Sequence, residues 1–175
     1  KSKCGADFPV CFRISTDERV LGGLKPEEAA AICKILERER ADAIHVSTGV
    51  YGSIEWIIAP YNIQPGYILE STKIIKKAVN IPVIAVGRIT EPYLANRIIA
   101  DGIADFVAMG RTAISDPYIP IKTKEGKINE ILSCVGCMTR CQGVVAGNTG
   151  DRGVSCMVNP FAGQEDKRKI TQTKK

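Results

Sequence analysis

The chain has 175 residues, of which 45% are hydrophobic and 25% are charged. This composition excludes intrinsic disorder, and the length suits one globular domain with a core but not two large ones. The net charge is +5, and five basic residues fall within the final segment KRKITQTKK. We therefore expect a solvated tail and no nucleic-acid-binding face. No uncharged apolar run of about 18 residues occurs, which argues against a membrane-spanning helix.

Short apolar runs alternate with helical patterns along the first 115 or so residues. The runs predict strands and the patterns between them predict helices: strands at 9–14, 43–46, 82–86 and 105–109, and helices at 26–40, 68–79 and 91–101. This order is typical of a parallel α/β sheet with right-handed crossovers. A doubly wound sheet and half of a (β/α)8 barrel both fit four βα units, since a complete barrel needs about 250 residues.

Periodicity also predicts which helix residues face the core. The first helix should bury Ala29, Ile32, Cys33 and Leu36, and the second should bury Ile68, Thr72, Ile75 and Val79. Thr90 is the predicted N-cap of the third helix, and Gly102 should end it. We expect a loop with one short helix at 114–130, followed by a segment at 131–164 that shows little periodicity.

Two consecutive predicted strands end in the same Gly-Arg pair, Gly87–Arg88 and Gly110–Arg111, 23 residues apart. A glycine after a strand lets backbone N–H groups approach a ligand, and an arginine fork suits phosphate. The repeat therefore indicates a phosphate site, while two ordinary turns with surface arginines remain the alternative.

Three further polar residues lie in or after apolar strands. Arg13 should either face a ligand or pair with Asp17 or Glu18, because ligands bind at the carboxyl ends of such strands. His45 is the single histidine and should face away from its strand neighbours. Tyr51, after the second strand, could donate a proton or stack on a ring.

Four of the seven cysteines, Cys134, Cys137, Cys141 and Cys156, follow the spacing C-x2-C-x3-C-x14-C. Three close thiolates and one remote thiolate favour a [4Fe-4S] cluster, with tetrahedral zinc or free thiols as alternatives. The odd number of cysteines and the lack of a recognisable export signal predict a reducing, cytoplasmic location.

Five segments in order resemble the NADH:flavin oxidoreductases related to old yellow enzyme: FPVCFRIS, DAIHVSTGVY, IPVIAVGRIT, DFVAMGRTAISDP, and CVGCMTRC with SCMVNP. The similarity is to the iron–sulfur branch that includes 2,4-dienoyl-CoA reductase, 2-enoate reductase and trimethylamine dehydrogenase. The resemblance implies the second half of a (β/α)8 TIM barrel at residues 1–130, an irregular cluster-binding segment at 131–163, and a basic linker at 164–175 toward an FAD- and NAD(P)H-binding domain.

The resemblance also implies roles for individual residues. Arg13 would contact FMN, and the four cysteines would hold the [4Fe-4S] cluster. The FMN phosphate would be bound by the two Gly-Arg pairs, that is by Gly87, Arg88, Gly110 and Arg111. The histidine that related dienoyl-CoA reductases carry after strand six is replaced by TGVYGSIEW, so Tyr51 becomes the candidate catalytic residue.

The implied activity is NAD(P)H-dependent reduction of an activated C=C bond in an unsaturated carbonyl or acyl-CoA, with electrons passing through the cluster to FMN. We expect this chain alone to be inactive, to need the other half-barrel and to form a homo-oligomer. Two alternatives are a phosphate-binding βα enzyme with a zinc knuckle and an inactive half-barrel that serves in assembly.

Overall fold

A computed structural model describes residues 1–143 and 153–165. The chain forms two compact units, Lys1–Met109 and Gly110–Lys175. Most of the predicted basic linker, from residue 166 onward, lies outside the described residues. The predicted domain limits at residues 130 and 163 therefore stay predictions.

The first unit contains one parallel sheet of four strands in the order β1-β2-β3-β4. The strands are β1 Cys11–Ser15, β2 Ala43–Ser47, β3 Val83–Ala85 and β4 Phe106–Val107. A doubly wound sheet reverses its strand order at a switch point, whereas barrel strands follow the order of the chain. The sequential order therefore identifies a partial α/β TIM barrel, and the predicted fold class is confirmed.

Helices connect these strands as the periodicity predicts. They are α1 Pro26–Arg38, α2 Ile54–Ile57, α3 Leu69–Ala78 and α4 Pro92–Ala100, with a 3-10 turn at Tyr51–Ser53. Thr90 is the predicted N-cap of the third predicted helix. That prediction is wrong, because α4 begins at Pro92 and Glu91 occupies the N-cap position. Proline suits the first helical turn because its missing N–H would have no partner there. Gly102 follows α4 at φ 65°, as expected after a helix.

The core of the first unit lies between the sheet and α1 and α3. Ile44, Val46 and Val83 pack with buried residues of both helices, which include Ala29, Cys33 and Ile75. All four residues of the predicted inward face of the second helix are buried. The prediction for the first helix is wrong at Ile32, which is 37% exposed. Ala30 is buried there instead, so α1 is rotated slightly from the expected face.

The second unit has short helices and irregular segments. Helix α5 spans Gly110–Ser115, α6 spans Ile119–Lys124, and a 3-10 turn spans Ile128–Glu130. The segment 114–130 therefore contains more helical structure than the single short helix that we expected, namely α6 and the 3-10 turn. No helix or strand occurs in 131–143 or 153–165, which confirms the lack of periodicity for the described part of the cysteine segment.

Helices in the described parts of the chain are all too short or too polar to cross a lipid bilayer.

Candidate functional site

The strand face opposite the helix-packed core carries polar side chains in the first unit. Ile44 and Val46 are fully buried on one face of β2, so the alternating residues His45 and Ser47 lie on the other. Arg13 is paired with His45 in the β1–β2 register. The sequence prediction that His45 faces away from its neighbours is confirmed.

Arg13 reaches across to β2 and does not pair with a carboxylate. Its Nη1 lies 2.7 Å from Nε2 and 3.2 Å from Nδ1 of His45. Its Nη2 donates to Ser47 Oγ at 2.9 Å. The alternative that Arg13 pairs with Asp17 or Glu18 is wrong, because Asp17 pairs with Arg19 at 2.6 Å and Glu18 accepts a hydrogen bond from the Leu24 N–H. Parallel register brings together residues 32 positions apart, which proximity in sequence could not indicate.

Hydrogen bonds fix the carboxyl ends of β1 and β2 to each other. Thr16 Oγ1 donates to the Ser47 carbonyl at 2.9 Å, and Ser15 Oγ donates to the Gly49 carbonyl at 3.1 Å. The Gly49 N–H donates to the Asp17 carbonyl at 2.8 Å. Arg13 and His45 therefore project from a well-connected pair of strands.

Burial lowers the pKa of His45 below its usual value, and the adjacent Arg13 guanidinium lowers it further. Both causes disfavour a second positive charge on this face. The neutral imidazole is thus the favoured form near neutral pH.

Tyr51 begins the 3-10 turn that follows β2, and it is 93% exposed. Its position after a strand end agrees with the sequence prediction. The described contacts give it no hydrogen bond to Arg13 or His45, so its catalytic role stays a prediction.

The first Gly-Arg pair forms a tight turn after β3. Gly87 has φ 118°, and a Cβ there would lie 2.9 Å from Ile68 Cγ1, so glycine is required by both conformation and space. Arg88 also adopts a positive φ, 51°. Its Nη1 donates to the carbonyls of Tyr61 and Ile63, which ties the preceding loop to the turn. The Arg88 side chain thus supports the turn and the loop that precedes it.

The second Gly-Arg pair differs, because Gly110 and Arg111 begin α5. The Arg111 Nη1 donates to Met138 Sδ at 3.1 Å, so the guanidinium reaches the cysteine segment. The identical dipeptides therefore occupy different local structures, a distinction that the sequence does not carry.

All four cysteines of the predicted set line one cavity in the second unit. Cys134, Cys137, Cys141 and Cys156 share its wall with Arg111 and other residues, and the space that they enclose is small. Positive φ at Gly136 (70°) and Met138 (61°) turns the loop twice between its cysteines. The chain path thereby gathers sulfur atoms that a straight segment would spread apart.

Backbone donors and arginine side chains lie around these sulfurs. Val158 N–H donates to Cys156 Sγ at 3.4 Å. Burial raises the pKa of the Cys141 thiol and the neighbouring Cys134 and Cys137 raise it too, while Arg111 and the Gln142 N–H lower it. Positive charge and N–H donors compensate thiolates, and both tune the potentials of iron–sulfur clusters.

Two buried polar residues that the sequence analysis missed connect the cysteine segments to α5. Asp116, 2% exposed, accepts from the Leu132 N–H at 3.0 Å and from Lys122 Nζ at 2.7 Å. Asn159 donates to the Ile114 carbonyl at 3.1 Å. The segments before Cys134 and after Cys156 are therefore both fixed to the end of one helix. The dipeptides Asp116–Pro117 and Asn159–Pro160 were the available sequence signals.

Four cysteine thiols around one cavity are donors that either a zinc ion or an iron–sulfur cluster could use. Among the described residues, no three His, Cys, Asp or Glu side chains are placed as ligands of one metal ion. Three closely spaced cysteines with a fourth farther along the chain would suit a [4Fe-4S] cluster, in which each thiolate binds its own iron.

Comparison with known proteins gives one family match and several relatives. Residues 1–130 match the NADH:flavin oxidoreductase / NADH oxidase family. An NADH oxidase of Thermoanaerobacter brockii is 46% identical over 94% of this chain and 25% of its own length. A cinnamate reductase of Clostridium sporogenes is 33% identical over 100% of this chain and 28% of its own length.

A solved structure shares the fold over nearly the whole chain. The complex of 2-naphthoyl-CoA reductase with 2-naphthoyl-CoA superposes with a TM-score of 0.85 and 30% identity, covering 94% of this chain and 24% of that one. The chain thus spans about a quarter of the length of these relatives.

Proposed function

Because the chain belongs to the NADH:flavin oxidoreductase / NADH oxidase family, we propose that it is part of an FMN- and [4Fe-4S]-dependent NAD(P)H oxidoreductase that reduces an activated C=C bond. The single observation that carries this proposal is the cavity lined by Cys134, Cys137, Cys141 and Cys156. A family fold indicates flavin chemistry, and the four thiolates add a site suited to single-electron transfer.

The residues of the chain would bind and orient the two cofactors. Arg13 would contact FMN from the polar face of the sheet. Family membership supports Gly87 and Arg88 in the first unit, and Gly110 and Arg111 in the second, as phosphate-binding residues. When bound, FMN supplies hydride transfer and the cluster supplies one-electron transfer; the protein contributes position, charge and exclusion of water.

The substrate class follows from the relatives. One relative is a cinnamate reductase, and another is a 2-naphthoyl-CoA reductase in complex with 2-naphthoyl-CoA. Each compound has unsaturation conjugated to a carboxylate or thioester carbonyl, which makes its carbon atoms acceptors for hydride. We propose an unsaturated carboxylate or acyl-CoA as the substrate, with Tyr51 as the proton donor.

The test uses the complete polypeptide that contains this chain, under anoxic conditions. NADH oxidation is measured with cinnamate and with an enoyl-CoA as acceptors, in the wild type and in Cys134→Ser. We expect coupled turnover in the wild type. In the variant we expect loss of NADH-driven turnover, while dithionite-reduced FMN still reduces the acceptor.

Cys4→Ser is the matched control, because Cys4 is exposed and does not line the cysteine cavity. It should behave as the wild type. NADH-driven turnover at the wild-type rate in Cys134→Ser would contradict the role of the cluster, and a wild-type enzyme without bound flavin would contradict the proposed function altogether.

A further inference from the structure

Arg13, His45 and Ser47 form a hydrogen-bonded group on the polar face of β1 and β2. One guanidinium nitrogen of Arg13 lies against the ring nitrogens of His45, and the other donates to Ser47 Oγ. Two side chains of β2 therefore hold two separate nitrogens of the same guanidinium. This double attachment restricts both the position and the rotation of the guanidinium plane.

The chemistry of arginine determines which form of His45 can take part. Arginine has donors only, so the imidazole must offer a lone pair. The nearer ring nitrogen is Nε2, at 2.7 Å, against 3.2 Å for Nδ1. Because Nη1 lies within 3.2 Å of both ring nitrogens, either nitrogen of the neutral ring can act as the acceptor. A protonated ring could only donate, and it would place a second positive charge against the guanidinium.

The neighbouring elements provide no negative charge to favour that second proton. On the same face, β1 offers the Cys11 thiol and the Ser15 hydroxyl besides Arg13. The register places Ile84 of β3 beside His45 and Phe106 of β4 beyond it. Among the described groups, Arg13 is the charge that acts on His45. The ring thus lies between a cation and an apolar strand.

We infer that His45 is a positioning residue for Arg13: its neutral ring accepts from the guanidinium and, with Ser47, fixes the charge of Arg13 on the polar face of the sheet. Protonation of His45 breaks this bond and releases Arg13. The consequence for flavin rests on the proposed function, because it requires that Arg13 contacts FMN.

The first experiment does not depend on flavin. Nitrogen-15 NMR of the complete polypeptide, labelled at histidine, observes His45, whose signal is identified by its absence from His45→Gln. We expect a titration midpoint below about 6.5, the usual histidine value, because burial and the Arg13 guanidinium lower the pKa of His45. Arg13→Met should shift the midpoint upward, because one of the two causes of the lowered pKa is removed.

Ile84→Val is the matched control, since it trims the other strand neighbour of His45 without changing charge. Its midpoint should equal that of the wild type. A midpoint at or above about 6.5 in the wild type, or an unchanged midpoint in Arg13→Met, would overturn the contact. Either result would leave the proposed function intact.

The second experiment measures FMN affinity and reduction potential in the complete enzyme. His45→Ala should weaken FMN binding by about tenfold, the scale of one charged hydrogen bond. It should also shift the potential to more negative values, because a loosely held cation stabilises reduced flavin less. His45→Gln keeps an acceptor that does not titrate, so it should restore both properties. It should also remove the additional change in reduction potential that protonation of His45 causes at low pH in the wild type.

Equal FMN affinity and potential in His45→Ala and the wild type would overturn the flavin part of the inference. Failure of His45→Gln to restore either property would show that the imidazole acts by bulk rather than by accepting a hydrogen bond, and would overturn it as well. Absence of FMN from the wild type would instead contradict the proposed function, which keeps the two failures distinguishable.

Discussion

The two units of the chain are ordered by different physical means. Residues 1–109 form a βα structure in which aliphatic side chains of the sheet pack against helices. In the described part of 110–165, the cysteine segments have no regular structure and are fixed by buried polar anchors such as Asp116 and Asn159. Truncation of a buried aliphatic side chain should therefore destabilise the first unit, whereas loss of a thiolate or a buried carboxylate should destabilise the second.

The largest effect should follow removal of one cavity cysteine from the second unit. Cys141→Ser should abolish incorporation of the cluster, since serine replaces a soft thiolate ligand with a hydroxyl. Iron and acid-labile sulfide are assayed after anaerobic purification, with Cys11→Ser as the control because Cys11 is exposed and lies in β1. Equal iron in the two variants would show that Cys141 is not a ligand.

The matching change in the first unit is Ile75→Ala, in the core that α3 forms with the sheet. Ile75 is fully buried, so we expect a loss of about 3 kcal/mol in the free energy of unfolding, from lost burial plus the remaining cavity. Urea unfolding followed by circular dichroism measures it. Ile35→Ala, at a position 49% exposed, should cost much less; similar losses in both variants would argue against the described core.

Much of the fold of the first unit could be predicted from the sequence. Apolar runs and helical periodicity located all four strands and three of the helices, because in the first unit each residue's role follows from its own hydrophobicity. Ile32 and Thr90 were misplaced by small rotations and offsets that periodicity does not resolve.

The site was predictable where spacing alone carries the chemistry. The four cysteines were identified from their spacing, and the structure brings them to one cavity. Partnerships between distant residues were not predictable, because they depend on strand register or on backbone groups. Arg13 binds His45 through register, and Asp116 binds the Leu132 N–H.

Asp116→Asn should lower the free energy of unfolding of the second unit by about 2 kcal/mol, because the substitution removes a charged acceptor of buried donors. Burial raises the pKa of Asp116, but Lys122 and the N–H groups of Leu132 and Tyr118 outweigh it, so the pKa lies below its usual value. A lowered carboxyl pKa contributes stability that is present above about pH 3.9 and is lost as the pH falls through the folded-state pKa.

The measurement is the rate at which a chelator extracts iron at pH 7, where Asp116 is ionised and acid does not release the sulfide. Asp116→Asn should lose iron faster than the wild type. The control is Glu125→Gln, which alters an exposed pair with Lys127 and should change nothing. A wild-type rate of iron loss in Asp116→Asn would show that Asp116 does not anchor the cysteine segment.

The smallest effect should come from Arg88→Ala in the complete enzyme. Its guanidinium supports the turn after β3 through the Tyr61 and Ile63 carbonyls, so we expect FMN to dissociate about tenfold more readily. Equilibrium dialysis of FMN measures the change, with the exposed Arg38 replaced by alanine as the control. Equal retention by both variants would refute a role for this turn in phosphate binding.

The most direct test of the iron–sulfur proposal is the iron and acid-labile sulfide content of the complete wild-type polypeptide after anaerobic purification, together with its electron paramagnetic resonance after reduction. We predict brown protein with about four irons and four sulfides per polypeptide and a paramagnetic signal on reduction. Colourless protein that holds a single zinc ion, or no metal, would contradict it.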